Sequence, residues 1–174
     1  EWKSDLIEDT RTGRLLRLDP GSSEPEVVID GMCFANGVAK AADESFVVAA
    51  ETGTRALRRH WRTGEQAGTS DTFVADLPAH PDNIALGSDG LLWVTYASPT
   101  DPALTFLQTK AKPWVKMTVL RAPEALKPRP KRTARVAAYD LAGTLVHDIA
   151  CDASAWHMAT GVREHEGRLQ LGVE

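Results

Sequence analysis

Apolar and β-branched residues along this chain come in runs of four to seven, separated by stretches that hold turn residues such as Gly, Pro, Asp and Ser. The runs are Arg14–Leu18, Glu26–Ile29, Phe46–Ala50, Ala56–Arg62, Thr72–Leu77, Leu91–Tyr96, Ala134–Tyr139, Leu145–Ile149 and Arg168–Gly172. That length and that punctuation predict strands. Asp19-Pro20-Gly21-Ser22-Ser23 marks a turn between the first two runs, and Ala142-Gly143-Thr144 marks another late in the chain.

An internal repeat organises these runs. Phe34-Ala35-Asn36-Gly37-Val38, an Asp43-Glu44 turn and Phe46–Ala49 form its first copy. His80-Pro81-Asp82-Asn83-Ile84, Ser88-Asp89-Gly90 and Leu92–Thr95 form the second. Met158-Ala159-Thr160-Gly161-Val162, His165-Glu166-Gly167 and Leu169–Gly172 form the third. Asn36 and Asp82 are 46 residues apart, and Asp82 and Thr160 are 78 apart, so the second interval holds an insertion of 32 residues. A period in the forties with four short strands is the mark of a β-propeller blade. The expected fold is all-β: an incomplete propeller of about three blades over residues 1–174, with one partly helical insertion. Glu1 opens the chain, and a strand still runs through Gln170–Glu174. Both ends are therefore expected to be cut, and no compartment is assigned.

The insertion, residues 99–133, differs in composition from the rest. It is rich in proline and carries a net charge of +6, against −10 for the remainder of a chain of net −4. Leu104, Leu107, Val115 and Leu120 have a partly helical spacing. Three roles are open to it: a surface helix across the blade tops, a lid over the channel, or a basic amphipathic contact with an anionic membrane surface. No apolar run reaches the length of a membrane-spanning helix. The basic residues stay within one insertion and lack a recognised motif, so no nucleic-acid partner is expected. Cys33 and Cys151 show no metal or disulfide pattern and are expected to be buried free thiols.

In a propeller the innermost strand of every blade lines one channel. The repeat gives Asn36, Asp82 and Thr160 equivalent places there, so an amide, a carboxylate and a hydroxyl should converge. Ca²⁺ takes oxygen ligands of these kinds, and Asn83 offers one more. The competing reading makes Asn36-Gly37 and Asp82-Asn83 ordinary turn residues. His80 and His157 precede two of these positions. They are candidates for a general base or for the pocket wall, or else surface-loop histidines. No G-x-S-x-G elbow or Gly-rich phosphate loop is present.

At these residues the sequence resembles the strictosidine synthase-like family. The matching stretches are Thr12–Asp19, Phe34–Val38, Asp43–Val47, Ala50-Glu51-Thr52, Pro81–Ile84, Ser88-Asp89-Gly90, Trp93-Val94 and Gly161–Gly167. The resemblance implies a six-bladed propeller related to gluconolactonases and paraoxonases, whose relatives hold a catalytic calcium with Glu, Asn and Asp. It carries metal-ligand roles to Asn36, Asp82 and Asn83. The family's Glu ligand and a further Asn would lie outside this chain. Strictosidine synthases proper work without the metal and use a glutamate in the last blade. Met158–Val162 contains no acid, and Glu164 is read as part of the turn. The expectation is a calcium-dependent hydrolase of small esters or lactones. The alternatives are a metal-free condensing lyase and a non-catalytic, membrane-associated binding propeller.

Overall fold

The computed structural model describes residues 7, 8, 10–122, 133–152 and 158–173. Two four-stranded antiparallel sheets form its centre. The first runs in simple order through β3 (Ala35–Lys40), β4 (Phe46–Glu51), β5 (Ala56–Trp61) and β6 (Ser70–Val74). The second comprises β7 (Ala79–Leu86), β8 (Leu92–Pro99), β9 (Thr133–Tyr139) and β10 (Leu145–Asp152). A two-stranded sheet flanks them on each side: β1 (Gly13–Arg17) with β2 (Glu26–Met32), and β11 (Ala159–His165) with β12 (Arg168–Val173). Up-and-down sheets repeated side by side are propeller blades. These twelve strands amount to three blades, as the repeat predicts.

The main core lies between the two central blades. Phe46, Val48, Leu57 and Leu77 from one meet Leu92, Val94, Tyr96 and Tyr139 from the other. Phe46 meets Trp61 edge-on at 5.2 Å and Phe73 at 5.5 Å between ring centres. Arg59 lies over Trp61, 4.1 Å from its ring centre, while Asp71 holds its guanidinium in two hydrogen bonds of 2.9 and 2.7 Å.

One polar pair sits inside this apolar layer. The Tyr96 and Tyr139 hydroxyls are 2.8 Å apart and buried. Burial first, and then the Tyr139 hydrogen bond, raise the Tyr96 phenol well above its ordinary range, so it stays neutral. Tyr96→Phe should destabilise the chain by about 1–3 kcal/mol, because the Tyr139 hydroxyl is left buried without this partner. Adding Tyr139→Phe should restore much of that loss, which urea unfolding of the single and double variants measures.

Two short helices interrupt the second blade between β8 and β9: α1 (Pro102–Thr109) and α2 (Pro113–Arg121). Each starts on a proline, the residue best tolerated in a first turn. The Asp101 side chain caps α1 by accepting from the Ala103 and Leu104 amides. Cys33 is buried as expected, but Cys151 is exposed because it lies on β10, the outermost strand of its blade.

Candidate functional site

The inner strands β3, β7 and β11 share one irregularity. Ala35 pairs with Glu51 and Val38 with Ala49, so three steps on β3 face two on β4. Pro81 pairs with Tyr96 and Ile84 with Val94 on the next blade. Ala159 pairs with Val173 and Val162 with Leu171 on the third. Each inner strand therefore carries one extra residue at the same place, a β-bulge. The bulges fall on Asn36-Gly37, Asp82-Asn83 and Thr160-Gly161. These are the positions the repeat singles out, and they lie within strands rather than in turns. A bulge also frees neighbouring side chains from strict alternation between sheet faces, so Asp82 and Asn83 need not point apart.

The bulges touch one another. A Cβ on Gly37 would lie 2.5 Å from Asn83 Cα and 2.6 Å from Ile84 N, so only glycine lets β3 come this close to β7. On the other side, Asn83 Nδ2 donates a short hydrogen bond to the Thr160 carbonyl. The Asn83 amide N–H donates to Thr95 Oγ1 at 3.0 Å. Asn83 is thus held from three directions. The open space beside it, about 470 Å³, is bounded by Val38, Ile84, Val162 and Gly161 of the three inner strands.

Thr52, just past the end of β4, ties the remaining parts together. Its hydroxyl donates to the Pro81 carbonyl at 2.7 Å and accepts from Asn36 Nδ2 at 3.4 Å. Its carbonyl accepts from His80 Nδ1 at 2.9 Å. The sequence offered little sign of this role, since the residue in Thr52's place on the next blade is Ala97. Both asparagine amides are anchored through nitrogen, which leaves Asn36 Oδ1 and Asn83 Oδ1 as acceptors. Among the described residues no group of three or more His, Cys, Asp or Glu side chains comes together. The oxygen-bearing side chains carried at the first two of these adjoining bulges are the Asp82 carboxylate and the Asn36 and Asn83 amides.

His80 is no surface-loop residue; it is 3% exposed. A carbonyl can only accept, so the neutral ring carries its proton on Nδ1. Burial lowers its pKa below the ordinary 6.5, outweighing the opposing hydrogen bond to Thr52. His60 is lowered too, again chiefly by burial. A histidine that resists protonation in the folded state favours the unfolded state once the latter binds a proton. Stability is therefore expected to be intact above about pH 6.5 and to fall as the pH drops below it. Thermal melting across this range should show a smaller fall for His80→Gln than for the parent chain. His157 lies outside the described residues.

Glu164 also differs from its sequence reading. It lies within β11, is 4% exposed, and accepts from Ser88 Oγ at 2.9 Å and from the Gly167 amide at 2.6 Å. Burial pushes its pKa up, but hydrogen bonds led by the one from Gly167 outweigh this and hold it low. Its carboxylate joins the β7–β8 turn to the β11–β12 hairpin.

Comparison with known proteins bears on the family and the fold. The strictosidine synthase family model matches residues 1–65. A strictosidine synthase-like protein of Arabidopsis thaliana, number 10 of its series, is 41% identical over 115 residues, covering 65% of this chain and 29% of that protein. The chain belongs to the strictosidine synthase-like family. Adipocyte plasma membrane-associated protein of Gallus gallus is 32% identical over 182 residues, covering 96% of this chain and 41% of that protein. This strictosidine synthase-like chain thus spans less than half the length of either relative. Among solved structures, a gluconolactonase of Xanthomonas campestris superposes with a TM-score of 0.55 at 15% identity, over 91% of this chain and 40% of its own. A calcium-binding regucalcin of Agrobacterium tumefaciens gives 0.55 at 11%, over 90% and 41%. At such identities these two likenesses bear on the fold alone, which is the propeller.

Proposed function

We propose that this chain supplies part of a calcium site in a hydrolase of small esters or lactones. The observation that carries the proposal is the threefold bulge: it falls at Asn36-Gly37 and Asp82-Asn83 on inner strands whose backbones adjoin there. Bulges beside active sites re-aim side chains in this way. The donor set suits a hard cation, being oxygen only and including a carboxylate. Ca²⁺ takes about six to eight oxygens, so three protein ligands leave room for water, substrate and further residues. Two structural neighbours are named as a gluconolactonase and a calcium-binding protein, which accords with the reading.

The bound cation would supply Lewis-acid polarisation of the scissile carbonyl. The chain's own residues hold it and shape the site around it. Asn36 and Asn83 present Oδ1, each fixed by a hydrogen bond from its own nitrogen. Asp82 brings the negative charge. Gly37 sets the spacing between two of the bulges, and Thr160 fixes the third against Asn83. His80, at 3% exposure, serves as a positioning residue: it holds Thr52, which holds Asn36 and Pro81. The metal-free condensing alternative needs a free acid in β11, and Glu164 is instead engaged with Ser88 and Gly167. The test is hydrolysis of phenyl acetate and of a small lactone by the complete gene product, with calcium and with a chelator. Dependence on calcium is the expected result, and equal rates would contradict it.

A further inference from the structure

The helical insertion carries a surface that the hydrolase reading does not use. On α2, Trp114, Met117, Thr118 and Arg121 are all exposed and follow the spacing of a single helix face. Trp114 is 68% exposed, more than any other large apolar side chain described, and Met117 is 44% exposed. Phe106 on α1 adds a third exposed apolar side chain, at 53%. Inward-facing residues do the packing, as buried Leu107 shows. Lys110 and Lys112 in the connection between the helices are exposed, and residues 102–121 contain four basic residues and no acid.

We infer that this helix pair docks onto an anionic phospholipid surface. Trp, Phe and Met standing out among cations suit the headgroup layer, where apolar side chains enter and basic ones meet lipid phosphates. The charge separation supports this occupant: the insertion is +6 and the remainder of the chain −10. An anionic surface would attract the insertion and repel the rest, which fixes an orientation. The insertion also leaves the blade at the channel end that bears the bulges. Pro99, the last residue of β8, pairs with Ala79, three residues before Asp82. Docking would therefore bring the channel mouth close to the membrane and favour esters or lactones that partition into lipid. That last consequence rests on the hydrolase reading, whereas the docking itself does not.

The test uses sedimentation with vesicles of phosphatidylcholine, with and without phosphatidylserine, and follows tryptophan emission. Binding should need phosphatidylserine, weaken with added salt and shift the emission to the blue. Trp114→Ser with Met117→Ser should abolish the shift. Lys110→Glu with Lys112→Glu should weaken binding by roughly tenfold or more. These positions are exposed, so both variants should melt like the parent. Equal binding to phosphatidylcholine alone, absence of binding, or unchanged binding by both variants would overturn the inference. These readouts need no turnover, so failure of the hydrolase reading leaves them intact.

Discussion

Gly37→Val should prevent the chain from reaching its native structure. The Cβ of any side chain there would lie 2.5 Å from Asn83 Cα and 2.6 Å from Ile84 N, and both are backbone atoms. No rotamer change relieves a clash with backbone, so β3 and β7 would have to separate. Overpacking in a closed core costs about 1–3 kcal/mol when side chains can adjust. Here the strands carry the core on both sides, and the cost should exceed that range. Gly37→Ala should be milder but still destabilising, since the Cβ alone makes the clash. Circular dichroism and urea unfolding of the parent, Ala and Val forms should give that order. A Val variant as stable as the parent would show that the close approach of β3 to β7 does not hold.

Asp82→Ala should have the largest effect on metal binding without unfolding the chain. Asp82 is the one carboxylate in the proposed donor set and sits at a bulge, partly exposed, rather than in the packed core. Losing residues that merely orient metal ligands costs about 10–100-fold in affinity. Loss of a charged ligand should cost at least the upper end, about 100-fold. Calorimetric calcium titration gives the affinity, and the melting temperature checks the fold. Unchanged affinity in a folded variant would remove Asp82 from the site.

The sequence disclosed the blades through two different signals. The middle and outer strands show as apolar runs such as Phe46–Ala50 and Leu91–Tyr96. The inner strands do not, because β3, β7 and β11 contain Asn-Gly, Pro-Asp-Asn and Thr-Gly, which read locally as turns. Only the recurrence of the same motif, turn and apolar run, at 46 residues and again after the insertion, marks them as strands. The bulge explains the conflict: turn-forming residues occupy the one place in each strand where the ladder is broken. The equivalent places of Asn36, Asp82 and Thr160 on the three inner strands were legible for the same reason, since these positions recur in register.

Contacts made across blades were not legible. Thr52 meets Pro81 and His80 from 29 and 28 residues away, and Glu164 meets Ser88 from 76. No local pattern records such distances. His80 could be read as a loop residue because it precedes the Asp82-Asn83 pair; the structure buries it and gives it the neighbouring blade's Thr52 carbonyl as a hydrogen-bond partner.

Hydrolysis of phenyl acetate and a small lactone by the complete gene product, with calcium and then with a chelator, tests the central claim most directly. Activity that falls with the chelator and returns with calcium is the predicted result. A rate that does not change when calcium is removed, in a protein that stays folded, would contradict it.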